Sequence, residues 1–280
     1  MRARGTESAV GELIRLATGG RVVDLAQPSH ADMPQLPGAP RYTLTLLRRH
    51  GDTARAGGFS SANELIVSIC HAGTHLDAIG HVSVNGQLHG GLDAAETQRG
   101  TGGLKRLGIE ETPPIVRRGI LLDVAALQGV SALDPATAID GAMLEACARA
   151  AGVVVGPGDA VLVRTGWGAF WDDPVRYVSE RDGLPGPNID GARWLSDRQV
   201  SVTGADCLMY EYFHPLENRL PVHGHLIQGH GIALVENLML EELGALGAVE
   251  FLLVIAPLKL IGATGSPVRP IAIIQGDWAS

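Results

Sequence analysis

Apolar and polar residues follow one another in short blocks that predict a succession of β-strands and α-helices. Strands are expected where short apolar, β-branched runs are bounded by glycine, proline or charged residues. These runs cover 22–25, 41–47, 61–70, 118–124, 159–165, 200–203, 232–235, 249–256 and 270–274. Helices are expected at 8–16, 140–151, 190–199, 223–228 and 240–246. Strands that alternate with helices predict an α/β fold.

Two long stretches lack either pattern. Residues 27–40 contain four prolines, and residues 82–112 are rich in glycine. Such segments are typical of ordered loops that cover a site or a face of a domain. We find no domain boundary, so the sequence predicts one domain over 1–280 with a helical and loop arm to about residue 40. A chain of 280 residues with 45% hydrophobic residues can bury a large core.

Charge and cysteine content narrow the expected partners. The net charge is −8 and the basic residues form no stripe, so we expect neither nucleic acid nor an anionic membrane as a partner. No apolar run is long enough to span a bilayer, and the first residues lack the apolar core of a secretory signal. The three cysteines form no CxxC pair, which favours the reducing cytoplasm. The expected partner is a small-molecule substrate.

The most informative segment reads HAGTHLDAIGH over residues 71–81, with three histidines and one aspartate in eleven residues. Imidazole and carboxylate are the usual ligands of zinc, manganese or iron. The preceding run Leu65–Cys70 is apolar and β-branched, which predicts a buried strand that ends at His71. Gly73 and Thr74 then predict a tight turn that carries the next histidine and the aspartate back toward His71. The sequence therefore predicts a metal site here.

A second group of histidines lies between residues 214 and 230, and it is followed by Glu236 at the end of the predicted strand 232–235. Strand ends are where open α/β sheets place functional groups. Glu236 and His223 are therefore candidate partners of a metal bound by the first segment. His225 and His230 are expected to be ordinary surface or core residues.

The pattern His71-x-Gly-Thr-His75-x-Asp77-x-x-x-His81 resembles the signature of the cyclase-type metal-dependent hydrolases, a family that includes kynurenine formamidases and isatin hydrolases. Further segments resemble other parts of the family pattern: 24–28, 158–167, 221–223, 235–238, 256–259 and 265–270. One departure is Ile79, where the family often has proline; it removes no ligand. The length of the chain is closer to the isatin hydrolase-like branch than to the compact formamidases.

This resemblance implies a swivelling β/β/α fold with a mixed sheet and assembly into a homodimer or homotetramer with shared active sites. By position, His71, His75 and Asp77 match the first metal ligands of the family, and His81 matches its proton-transfer residue. His223 and Glu236 match residues that hold a second metal or orient water and substrate. One or two divalent ions, Mn²⁺ or Zn²⁺, are thus implied. Trp167 lies between glycines and is either a wall of an aromatic substrate pocket or part of the core.

The expected reaction is hydrolysis of an amide-like C–N bond in a small cyclic amide or aryl formamide by metal-activated water. A metal-dependent lyase, dehydratase or ring-forming cyclase on the same scaffold is an alternative. A binding protein with a structural metal is another, but structural sites are usually closed by four protein ligands. Three ligands and a free histidine leave a position open, which favours an enzyme. The sequence around Ser60 lacks the GxSxG pattern of a serine nucleophile.

Overall fold

The computed structural model describes residues 9–53, 55–217 and 220–275. The β-strands in these ranges are β1 (Arg21–Asp24), β2 (Thr43–Arg48), β3 (Asn63–Val67), β4 (His75–Asp77), β5 (Ile115–Asp123), β6 (Ala138–Ile139), β7 (Ala160–Arg164), β8 (Gly186–Pro187), β9 (Val202–Ala205), β10 (Ala233–Glu236), β11 (Glu250–Ile255), β12 (Gly265–Pro267) and β13 (Ile271–Ile274). The α-helices are α1 (Ala9–Gly19), α2 (Ala94–Thr97), α3 (Val124–Leu127), α4 (Gly141–Ala151), α5 (Pro174–Val178), α6 (Ile189–Asp197), α7 (Pro221–His223) and α8 (Glu241–Ala245).

Nine of these strands form one mixed sheet in the order β1-β13-β11-β5-β7-β9-β10-β4-β12. The central strands β5, β7, β9 and β10 run parallel, and the outer strands pair antiparallel. Strands β7, β9 and β10 are almost wholly buried, as expected for parallel strands with both faces covered. The α/β prediction is confirmed.

Helices α4 and α6 cover one face of the sheet and show why the helix prediction succeeded there. Asp140 accepts a hydrogen bond from the backbone N–H of Met143 at 2.8 Å, which caps the start of α4. Gly152 ends the helix with a φ of 69°, a conformation that favours glycine. The indole of Trp194 on α6 donates to Glu145 on α4 at 2.9 Å, so the two helices are joined as well as packed.

The prediction that Leu65–Cys70 forms a buried strand is wrong. Strand β3 ends at Val67 and pairs only with β2, as a two-stranded hairpin apart from the main sheet. Leu65 is 49% exposed and Ile66 is 56% exposed. An apolar, β-branched run favours extended backbone whether or not the strand is buried, so composition could not identify its partners. His71 therefore follows a hairpin and a turn rather than a core strand.

Two other elements differ from expectation in ways that affect the site. Strand β4 lies between β10 and β12 in the main sheet, although its three residues are too short for a hydrophobic pattern. The helix expected at 223–228 begins earlier, because Pro221 occupies its first turn, and it continues as a π-helical turn over Gly224–Gly229. As expected, residues 27–40 form no helix or strand, and residues 82–112 contain short helical turns and isolated β-bridges.

None of the helices in the described ranges combines the length and the apolar character that crossing a bilayer would need.

Candidate metal centre

The first segment of candidate ligands consists of a turn followed by strand β4. Gly73 has a φ of 65°, which lets the chain reverse between His71 and the strand. His75 and Asp77 are two residues apart on β4, so both side chains point to the same face of the sheet. The reversal brings the Nδ1 atom of His71 to 2.8 Å from the Oδ1 atom of Asp77.

Strand β10 brings the second segment to the same place. Glu236 pairs with His75 across the antiparallel contact of β10 and β4. The Nε2 atom of His75 lies 3.3 Å from a carboxylate oxygen of Glu236 and 3.5 Å from Asp77. The Nε2 atom of His223 lies 3.1 Å from Glu236 and 3.9 Å from Asp77. Four residues from distant parts of the sequence thus meet in a buried cluster.

Two overlapping groups of side chains can offer ligand atoms to an ion. One group is His71, Asp77 and His81, and the other is His75, Asp77 and Glu236; within each group the ligand atoms lie within 4.8 Å of one another. The rings of His71 and His81 are stacked with centroids 4.1 Å apart. Asp77 belongs to both groups and is the residue that joins them.

The environment of one atom in this cluster indicates whether a metal ion would fit the site. The Oδ2 atom of Asp77 is buried and has no hydrogen-bond partner. A buried carboxylate oxygen without a donor is costly, by roughly 1–3 kcal/mol or more. A divalent cation between Asp77, the imidazoles and Glu236 would satisfy this oxygen. The donor set of imidazole nitrogens and carboxylate oxygens suits zinc or manganese, so the residues present fit such an ion.

Backbone contacts fix the orientation of His75. Its Nδ1 atom donates to the carbonyl oxygen of Gly73 at 2.8 Å, so the lone pair is left on Nε2, which faces the carboxylates. The side-chain amide of Asn237 donates to the same carbonyl at 3.1 Å. Asn237 has a φ of 56° and accepts a hydrogen bond from the Tyr177 hydroxyl at 2.9 Å. Asn237 belongs to the segment 235–238 that resembles the family pattern, but its residue type alone predicts no role at the site.

A second residue that no sequence pattern predicts at the site is Glu211, which is fully buried beside His223. Its Oε1 atom accepts hydrogen bonds from the His223 Nδ1 atom at 2.5 Å and from the His223 backbone N–H at 2.9 Å. Glu211 lies in an irregular segment after β9, and no motif marks it. A glutamate between two tyrosines gives no sign that it will be buried.

The charges in the cluster stabilise one another. Burial works against the charge of His75, yet its hydrogen bond to Glu236 and the charge of Asp77 raise its pKa to about 9. Burial opposes the charge of His223 as well, but its hydrogen bonds to Glu211 and Glu236 raise its pKa to about 10. A divalent ion bound here would displace these protons, which is the usual linkage between metal binding and pKa.

His81 behaves differently from the other imidazoles. Burial lowers its pKa below the ordinary value; the negative charge of Asp77 opposes this shift, and the neighbouring histidines add to it. Its ring is therefore neutral at neutral pH and has a lone pair with which it can accept a proton.

Trp167 lies apart from the histidines. It is 2% exposed, and its indole N–H donates to the Tyr177 carbonyl at 2.9 Å. It borders a cavity of about 660 Å³ that is also lined by Phe170 and Arg176. The described contacts of Trp167 do not include the histidine cluster, so its role as a pocket wall stays a prediction.

The two histidines that were expected to have no role at the site contact other groups. His225 is hydrogen-bonded to Ser196 at 2.9 Å, and His230 donates to the His225 carbonyl at 2.8 Å.

The sequence of this chain matches a family of known proteins. Residues 23–212 match the family model described as putative cyclase. This chain belongs to the cyclase family. The match includes the segment from His71 to His81 and ends before His223 and Glu236, which the fold brings to the same cluster. The resemblance expected from the sequence is therefore confirmed.

Similarity to individual cyclase-family proteins extends over most of the chain. Cyclase-like protein 1 of Oryza sativa subsp. japonica is 29% identical over 268 residues, which cover 91% of this chain and 79% of that protein. The isatin hydrolase of Roseibium aggregatum is 26% identical over 209 residues, or 73% of this chain and 72% of the hydrolase. A crystal structure of a novel cyclase superposes with a TM-score of 0.85 at 29% identity, covering 93% of this chain and 91% of that one. The chain is thus related to a hydrolase and shares the cyclase fold.

Proposed function

We propose that this cyclase-family protein is a metal-dependent hydrolase that cleaves the C–N bond of a small cyclic amide or an aryl formamide. The observation that carries the proposal is the buried cluster at the contact of β4 and β10, where the Oδ2 atom of Asp77 has no hydrogen-bond partner. The relationship to an isatin hydrolase supports the reaction class, since isatin is a cyclic amide.

The residues that would hold the ion come from both ligand segments: His71, His75, Asp77, His223 and Glu236. We propose one or two ions, Mn²⁺ or Zn²⁺, per subunit. When bound, a divalent ion lowers the pKa of water from about 16 toward 7 and polarises a carbonyl group. The carboxylates keep the imidazole nitrogens oriented for this ion, and burial excludes bulk water from the cluster.

His81 would move the proton in this reaction. Its ring is neutral at neutral pH because burial lowers its pKa, so it can accept the proton of the attacking water. Passing that proton to the leaving nitrogen allows the C–N bond to break and regenerates the neutral ring. The stacking on His71 holds the His81 ring beside the ligands without requiring it to be one.

We further propose that the protein works in the cytoplasm as a homodimer or homotetramer. The unpaired thiols of Cys70, Cys147 and Cys207 suit a reducing compartment. The hairpin formed by β2 and β3 carries exposed Leu44, Leu46, Leu65 and Ile66, and an exposed apolar strand pair supports contact with a second chain.

The function is tested by supplying the metal-free protein with Mn²⁺ or Zn²⁺ and assaying isatin, an aryl formamide and an open-chain amide in weakly buffered solution. We expect metal-dependent cleavage of isatin or the formamide, with one acid equivalent released for each isatin ring opened. A chelator should abolish the activity, and added metal should restore it. Conversion without water consumption would favour a lyase or cyclase instead. Catalysis that is independent of metal would contradict the proposal.

A further inference from the structure

We propose that Glu211 is a positioning residue of the metal centre, which holds His223 with its Nε2 atom toward Asp77 and Glu236. The inference rests on the proposed function, because it assumes that His223 faces a bound ion. It adds a residue from a third part of the chain, which neither ligand segment contains.

The contacts of Glu211 leave its carboxylate little freedom. Oε1 accepts from two nitrogen donors of His223, the ring Nδ1 and the backbone N–H, and Oε2 accepts from the backbone N–H of Val222 at 3.0 Å. The side chain is completely buried. Every described donor that reaches Glu211 thus belongs to the first turn of the helix that carries His223.

The backbone around Glu211 is anchored as firmly as its carboxylate. The neighbouring Tyr212 N–H donates to the Pro187 carbonyl at 3.0 Å. Gly186 lies so close to Glu211 that a Cβ atom there would come within 2.6 Å of the Glu211 backbone carbonyl carbon. On the other side, the Tyr210 N–H donates to Glu236 Oε1 at 2.7 Å. One short segment therefore supports both His223 and Glu236.

The hydrogen bond from His223 to Glu211 determines which ring nitrogen is free. A carboxylate has no proton to offer, so the proton of a neutral His223 ring stays on Nδ1 and the lone pair stays on Nε2. The negative charge also makes Nε2 a better ligand, as in other carboxylate–histidine–metal arrangements. Without Glu211, the ring could rotate or change tautomer, and Nε2 would no longer be directed at the cluster.

The test compares zinc binding by the wild type and by Glu211→Gln, measured by competition with a chromophoric chelator. Glutamine keeps the size and an acceptor oxygen but removes the charge. We expect zinc affinity to fall about 10- to 100-fold. Glu145→Gln is the control, because Glu145 is also a hydrogen-bonded carboxylate but lies on α4 beside Trp194 and Arg198. It should bind zinc as the wild type does.

A double-mutant cycle separates positioning from a structural role. On a His223→Gln background, adding Glu211→Gln should change zinc affinity by less than about twofold, because the residue through which Glu211 acts is gone. A loss as large as on the wild-type background would overturn the inference. So would unchanged zinc affinity of Glu211→Gln alone.

A second measurement needs no variant and so does not depend on the folding of Glu211→Gln. Nitrogen-15 spectra of the zinc-loaded wild type should show His223 protonated at Nδ1 with Nε2 on the metal. A ring bound through Nδ1 would overturn the inference. If the wild type binds neither zinc nor manganese, the proposed metal-dependent function is wrong. If the wild type binds zinc and Glu211→Gln binds it equally well, only the role of Glu211 is wrong.

Discussion

At the scale of single residues, Asp77 is the carboxylate that the two candidate ligand groups share. One of its carboxylate oxygens accepts from His71, and the other faces His223 without a hydrogen bond. Burial opposes its charge, yet the hydrogen bond from His71 and the neighbouring imidazoles lower its pKa below the usual range. The histidines of the cluster therefore all lie close to the Asp77 carboxylate, but we propose different roles for them, metal ligation for some and proton transfer for His81.

Substitution of His75 and of His81 should separate ligation from proton transfer. His75→Ala removes an imidazole whose Nε2 faces two carboxylates, so we expect loss of bound metal and of activity together. His81→Ala should keep most of the metal and lose about 10²- to 10⁴-fold in turnover, the usual range for a general acid–base group. Elemental analysis and steady-state kinetics on the same samples measure both.

His225→Ala is the matched control for this pair, because His225 bonds to Ser196 away from the cluster. It should retain metal and turnover. Full metal content in His75→Ala would remove His75 from the ligand set. Loss of metal from His81→Ala would make His81 a ligand, in agreement with its place in one of the two candidate ligand groups.

At the scale of elements, the centre depends on how the turn before β4 is attached to the end of β10. The Asn237 amide donates to the Gly73 carbonyl, and the Thr74 hydroxyl donates to the Asn237 carbonyl at 2.6 Å. The two segments that carry His75 and Glu236 are therefore joined by hydrogen bonds next to the strand pairing. The left-handed backbone of Asn237 makes these bonds possible, and asparagine tolerates it better than most residues.

Asn237→Ala should destabilise the metal-free protein by about 2–3 kcal/mol, because it leaves buried partners unsatisfied and adds strain at positive φ. Asn237→Gly removes the same hydrogen bonds without the strain, so it should cost about 1 kcal/mol less. Urea unfolding of both variants gives the comparison. Equal stability of Asn237→Ala and the wild type would show that the strand pairing alone joins the segments.

The parts of the fold that the sequence predicts are those with a strong local signal. Strand β7 is a continuous apolar run, and α4 has both an aspartate cap and a glycine end. Strand β4 could not be predicted, because it has only three residues and two of them are polar. Its place in the sheet is set by pairing with β10 and β12, which are distant in the sequence. The same holds at the site, where the motif identified His71 to His81 but nothing local marked Glu211.

At the scale of the whole molecule, the hairpin of β2 and β3 differs from the rest of the surface. Residues 41–67 contain four arginines and two acidic residues, whereas the whole chain has a net charge of −8. The hairpin is therefore basic and apolar on a molecule that is otherwise acidic. These properties suit the proposed contact of the hairpin with an acidic surface of a second copy, where charge complementarity and apolar burial would act together.

The paired substitution Leu44→Lys and Ile66→Lys tests the proposed assembly. The two residues are cross-strand partners, and both are more than half exposed, so the hairpin itself should persist. We expect the dissociation constant of the oligomer to rise at least tenfold, measured by sedimentation over a range of concentrations. Val154→Lys with Val175→Lys adds the same charge at exposed sites elsewhere and should leave the mass unchanged. An unaltered oligomer in the hairpin variant would exclude this surface.

The position of β4 between β10 and β12 also has a consequence for biosynthesis. Its two neighbours in the sheet are residues 233–236 and 265–267, which leave the ribosome long after His75 and Asp77. At about 5–20 residues per second, synthesis from residue 77 to residue 236 takes on the order of ten seconds. During this interval the segment with His75 and Asp77 has neither of its strand partners, and Glu236 does not yet exist. The proposed ligand set can therefore capture an ion only after β10 has been made and has paired with β4.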